Sequence, residues 1–384
     1  MANDPDLPIH APPGRRFLAF GSLVRAVGLA GDARKLMLGI AGLALLVIGW
    51  RLIDSGFGID PRSRGGIDPG ATIGLFDSGS PQRWADAAWL VTEPARIVVG
   101  PFVALFSREV GVRLWFWAVI KGIWALVVWG IIGGAIARVA VVQLTVGGGV
   151  GVGSALRFAL GRSLTLIGTP LTPFLAVALI SAGCAGFGLL YRIPGGIGAT
   201  IAGILGFVPL LGGLVMALIL IGLALGWPLM HATVAAEGED VADALSRSYS
   251  YVNQRGIRYL THLAAAWGLG IVGLIVALIF ARVVLSLADW SVSLGAPARP
   301  TTMPMSLMIR DFWTGVVAWL AHAYLYSYFW SAIAVIYLIL RQDVDGTDPH
   351  DVYLPEQAAD TFAGTPALPD PALSEPVATP EASI

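Results

Sequence analysis

Four side chains in this chain could meet in a proton-transfer or metal site: His231, Glu237, His262 and His322. Imidazoles and a carboxylate are the groups that zinc accepts and that pass protons near neutral pH. Their spacing matches no metal motif. The chain has no H-E-x-x-H pair, no Gly-rich loop ending in G-K-[ST] and no G-x-S-x-G nucleophile elbow. The segment from Gly151 to Ser154 comes nearest to that elbow, but it opens a helix and lacks the second glycine. His231 and His262 fall near the ends of apolar runs, where an imidazole is easily hydrated. His322 stands among Tyr324, Tyr326 and Tyr328. It is read first as a hydrogen-bonding residue inside a bundle, with a proton or substrate relay as the competing reading. Lys121 lies about two turns into its run and is expected to snorkel. No catalytic residue, metal or cofactor is expected, and the chain is read as a non-enzyme.

The elements that must carry these residues follow from composition. Of the 384 residues, 56% are hydrophobic and 13% charged, with a mean hydropathy of +0.75. Soluble chains carry roughly 25% charged residues, so water is not the main solvent here. That excludes a cytosolic enzyme and a secreted disulfide scaffold. The 24 basic and 25 acidic residues nearly cancel without a basic block, which excludes nucleic acid as a partner. Cys184 is the single cysteine and has no disulfide partner in the chain.

A helix needs about 20 apolar residues to cross roughly 30 Å of hydrocarbon. Six runs qualify, at 36–53, 114–136, 164–191, 199–227, 263–288 and 312–340. Each must be helical, because unpaired backbone groups are intolerable in lipid. The fold class expected is all-α: an integral membrane bundle of about six transmembrane helices with interfacial amphipathic helices. The membrane domain covers 14–340, between a polar tail at 1–13 and an acidic, proline-rich, disordered tail at 341–384. Residues 14–20 are similar to a twin-arginine signal, but Arg25, Asp32, Arg34 and Lys35 interrupt the apolar core that would follow, so 15–30 is read as an interfacial helix. Arginines in the short loops favour both termini inside, in a bacterial cytoplasmic membrane. The long segment 54–112 is expected to turn helical over 81–107 and to lie along the membrane surface.

Residues 152–163 and 239–254 have the three-to-four apolar spacing of amphipathic helices. In the second, Asp243 and Arg247 are placed as an i,i+4 pair on the solvated side. Val152 to Leu156 aligns with Val241 to Leu245 at one constant offset, which suggests a parallel repeat of span, surface helix, span. Glu237-Gly238, followed by Ala244, Leu245, Arg247 and Ser248 after a span that ends Trp227-Pro228-Leu229, resembles an E-G-x(5)-A-L-x-R-S element. A broad group of bacterial polytopic membrane proteins carries this element, and a similar one occurs in the membrane domain beside some glycerophosphodiester phosphodiesterases. The resemblance covers about 130–265 and implies a membrane module. No soluble segment is long enough for the phosphodiesterase domain.

Pro209 and Gly212 sit in the 199–227 run, where they are expected to kink the helix, either for packing or to line a substrate path. Glycines at 222 and 226 and at 268, 270 and 273 mark close helix approaches. The function expected is a non-enzymatic membrane module that organises or anchors partners: membrane lipids, and a protein bound through the surface helices or the acidic tail. The alternative is a small transporter or lipid-handling protein.

Overall fold

The computed structural model describes residues 14–60, 83–106, 111–194, 196–295, 304–347 and 352–353. The tail at 1–13, the first part of the long connection at 61–82 and the tail from 354 onward lie outside the described residues. Within them the chain forms eleven α-helices and no strand. In order these are α1 Gly14–Leu29, α2 Ala33–Gly56, α3 Arg83–Val91, α4 Glu93–Ala104, α5 Val112–Thr145 and α6 Val152–Gly161, then α7 Ser163–Gly188, α8 Ile197–Ile204, α9 Phe207–Glu237, α10 Val241–Gly295 and α11 Pro304–Asp345.

Six of them, α2, α5, α7, α9, α10 and α11, are long and apolar enough to cross a membrane. The chain is an integral membrane protein. α5 and α11 form the centre, with 89% of their apolar stretches buried, whereas α7 and α9 bury 6% and present apolar side chains to the surroundings. Small residues set the inner packing. A Cβ on Gly42 would meet Trp129, one on Gly133 would meet Trp330, and one on Gly39 would lie 3.1 Å from the Ala323 carbonyl. Gly222, Gly270 and Gly273 likewise lie under Tyr249, Tyr328 and Tyr324.

The helix senses follow from contacts. Gly42 of α2 meets Trp129 of α5, and Asp54 near the end of α2 meets Lys121 near the start of α5, so these two run antiparallel. The end of the bundle where α2 begins is called proximal here, and the end where α2 finishes is distal. α5, α9 and α11 finish proximally, where Arg138 donates to the Ala235 carbonyl and Arg341 approaches Glu237.

Several elements differ from the sequence reading. The 199–227 run is divided at Leu205 and Gly206 into α8 and a longer α9. The 241–254 helix continues into the next span as α10, with non-helical dihedrals only at Arg255. α1 packs on α11 and α10: Tyr324 donates to the Val27 carbonyl and Ser327 to that of Ala30, so α1 and α11 advance together.

The largest difference concerns α3 and α4, expected on the membrane surface. They meet at an angle of 70°, and their side chains Val91, Ile97, Val98 and Phe102 are buried in the main core. Since α2 finishes distally and α5 starts distally, the segment between them must enter and return on one side. We read the pair as a re-entrant helical elbow, the other arrangement open to a pair bent this sharply being a broken span.

Two cysteine variants check this, each in a Cys184→Ser background. Asp60→Cys and Phe106→Cys are expected to react with an impermeant maleimide from the same side of the membrane, opposite to a tag placed after residue 357. Labelling of 60 and 106 from opposite sides would make the pair a seventh span.

Candidate functional site

At the elbow, Val91 ends α3 and Glu93 begins α4, with Thr92 between them. A helix end inside a bilayer leaves carbonyls that water cannot reach. Here the Trp89 carbonyl accepts from the Thr92 backbone N–H (3.2 Å), from Thr92 Oγ1 (2.7 Å) and from Arg96 Nη2 (3.2 Å). The Ala88 carbonyl accepts from Trp267 Nε1 at 3.2 Å. On the other side of the bend, Pro94 sits at the start of α4, where its missing N–H costs no hydrogen bond, and Glu93 places negative charge in the first turn.

The Glu93 side chain faces α11. Its Oε1 lies 2.6 Å from His322 Nε2 and accepts from Tyr326 Oη at 2.8 Å. The His322 side chain is 1% exposed and that of Glu93 13%. Tyr326 stacks on Trp129 of α5, with ring centroids 4.3 Å apart, which fixes its hydroxyl. A carboxylate, an imidazole and a phenol therefore share one polar centre between α4 and α11. Such a centre can hold or pass a proton, and it fastens the elbow to α11.

Beside it lies a cavity of about 420 Å³ between the elbow, α10 and α11. Thr92, Ala95, Leu263, Trp267, Tyr328 and Ile333 are among its walls. Tyr328 Oη donates to the Ala266 carbonyl and Thr92 Oγ1 to that of Trp89, so the polar atoms of the wall are already engaged. The cavity is built for hydrocarbon.

The residues singled out from sequence are distributed differently. His322 reaches this centre, whereas His231 packs against Trp227 and Trp330, and His262 bonds the Arg258 carbonyl. Glu237 lies at the proximal end, so the four groups that could have met in one site are not brought together. Glu237 accepts from Tyr337, lies 2.9 Å from Arg341 Nε and pairs with Arg247 at 2.7 Å. Arg247 also pairs with Glu239 at 2.6 Å. Its partners are thus carboxylates on other turns and not Asp243, because α10 turns that side of the helix toward the end of α9 and α11. Ala244 and Ser248 are buried, Ser248 Oγ donates to the Ala244 carbonyl, and Leu245 packs against the core. Gly238 takes a left-handed conformation, φ +66°, and closes α9 against Tyr353.

The helix is continuous over 209–213. Pro209 occupies the first turn of α9, where proline is tolerated, and Gly212 lets α9 approach α7 at Cys184. Lys121 does not snorkel. It pairs with buried Asp54 at 3.0 Å and lies over the Trp50 and Trp117 rings. Sequence reasoning missed Glu93, Arg96 and Asp54. The run Thr92-Glu93-Pro94 inside an apolar stretch was the available signal for a helix start at the elbow.

Two outcomes are expected. Removing one partner of a buried pair costs about 3–5 kcal/mol, so Glu93→Ala should lower the melting temperature in detergent strongly and Glu93→Gln, which can still accept from Tyr326, less. At the proximal end, burial first and then the hydrogen bond and charge of Glu237, opposed by Arg247, push the Glu239 carboxyl from its ordinary 4.5 up to about 7. Between those values the folded protein holds more protons than the unfolded chain, so stability falls as pH rises through that window. Thermal melts of Glu239→Gln should show a flatter pH dependence there and a higher stability above pH 7 than the parent.

Comparison with protein-family models, curated proteins and solved structures gives no match.

Proposed function

We propose that this multi-pass membrane protein handles lipid, binding a hydrocarbon chain in the cavity between the re-entrant elbow, α10 and α11. The observation that carries this reading is the cavity itself. It has the volume of a small-ligand site, its walls are apolar, and it adjoins the tip of a broken helix. Re-entrant or discontinuous helices in membranes are tolerated where protein surrounds them and are commonly placed at binding sites. The polar centre at Glu93 and His322 holds that tip in place, and the buried pairing of α3 and α4 leaves one face of the elbow for the ligand.

The organising module expected from sequence stands second. Its motif residues Glu237 and Arg247 are taken up in contacts between α9, α10 and α11, which leaves their charges less available to another protein. A bacterial cytoplasmic membrane with the end of α11 inside remains the proposed setting, while α1, which advances with α11, starts toward the other side; the family likeness of the Glu237 to Ser248 element also remains a proposal.

Native mass spectrometry of protein carried through extensive detergent exchange tests the lipid reading. Retained lipid is expected on the parent chain, and loss of it with little change in melting temperature is expected for Ala264→Phe, which fills the cavity. Equal lipid on both, or a retained polypeptide and no lipid, would favour the organising module.

A further inference from the structure

Arg96 lies one turn beyond the elbow, on α4, next to Thr92 of the cavity wall. Its Nε donates to Thr92 Oγ1 at 3.0 Å, its Nη2 donates to the Trp89 carbonyl at 3.2 Å, and its guanidinium covers the Trp89 ring at 4.0 Å. These contacts hold the fork in one orientation, but each acceptor is a neutral oxygen. Glu93, three residues earlier, has both of its hydrogen bonds with α11, and among the described residues no carboxylate lies within ion-pair distance of Arg96, so Glu93 acts on it only through space. Nη1 makes no hydrogen bond to the protein among those residues. A half-buried guanidinium in an apolar region carries a large desolvation cost unless an anion meets it.

The cavity supplies the other half of the argument. Thr92 and Ala95 both line it, and the guanidinium, which is not itself part of the wall, is joined to the wall through its hydrogen bond to Thr92 Oγ1. A ligand chain in the cavity would point away from Arg96, toward Leu263 and Ile333. Arg96 lies six residues before Phe102, roughly 9 Å along α4, and Phe102 packs at Gly122 beside the distal Lys121. A head at Arg96 with a chain running proximally has the orientation of a lipid drawn from the distal leaflet.

Resting on the lipid-handling reading, we infer that Arg96 receives the anionic head of the amphiphile whose chain fills the cavity, so that the ligand is an alkyl carboxylate or alkyl phosphate and not a neutral lipid. The planar fork suits both oxyanions, and the remaining donor is available to either.

The test uses the full chain in a neutral detergent, titrated with oleate, oleyl phosphate and oleyl alcohol, and read by tryptophan fluorescence, since Trp267 lines the cavity and Trp89 stacks on Arg96. The parent should bind at least one anion about tenfold more tightly than the alcohol, and Arg96→Gln should bring that anion down to the affinity of the alcohol while leaving the alcohol within about twofold. The anion that shows the difference identifies the head. Arg96→Lys, which keeps charge without the fork, should fall between, and it serves if the glutamine variant does not fold. Parent protein that binds the alcohol as tightly as both anions, or a charge-neutral variant that binds the anions unchanged, would overturn the inference while leaving the chain site intact. Failure of all three to bind, or binding of all three unchanged by Ala264→Phe, would overturn the lipid-handling reading itself.

Discussion

The contact between Glu93 and the His322–Tyr326 pair is the interaction on which the elbow depends. Two short helices, of nine and twelve residues, cannot cross a bilayer, and a bend between them exposes carbonyls at a depth where water is scarce. The chain meets the second problem locally, through Thr92 and Arg96 on the Trp89 carbonyl. It meets the first by fastening the tip to the central helix, through a carboxylate that reaches α11. Trp129 stacked on Tyr326 carries the same constraint into α5. This anchor adds to the apolar burial of Val91, Ile97, Val98 and Phe102 and fixes the tip that forms one wall of the cavity.

The same rule, that a buried charge must be met within the protein, organises the rest of the bundle. Lys121 and Asp54 close the distal side between two indoles. Lys35 donates to Ser331. At the proximal end Asp32 caps α2 and is bridged by Arg34, whose guanidinium holds its carboxyl well below the usual range. Glu237 gathers Arg247, Arg341 and Tyr337 there, joining three helices at the point where the chain turns back. Arg96, like Lys35 and Arg138, meets only neutral oxygens, and of the three it is the one bonded to a residue of the cavity wall.

How much of this was legible depended on the distance between partners. The six long apolar helices were visible because hydrocarbon thickness is imposed on each run separately, without reference to its neighbours. Within the Glu237 to Ser248 element the helix was legible but its pairing was not, since Arg247 was given to Asp243 and pairs instead with Glu237 and Glu239. The elbow was not legible. The 81–107 segment was read as interfacial, and the partners that meet Glu93 inside the bundle lie 229 and 233 residues away. Lys121 was misread as snorkelling because its partner Asp54 is 67 residues earlier, at the end of another helix. Pro209 was misread as a break because a first-turn proline and an interior proline look alike until the helix start is fixed, here by Gly206.

The depth of the elbow is the most direct test of this account. A nitroxide at Ala95→Cys, in a Cys184→Ser chain reconstituted in nanodiscs, reports whether oxygen or a water-soluble nickel chelate relaxes it faster. The account predicts strong relaxation by oxygen and little by nickel, as for a label deep in hydrocarbon. Nickel accessibility matching that of a label at position 60 would place α3 and α4 on the membrane surface and contradict it.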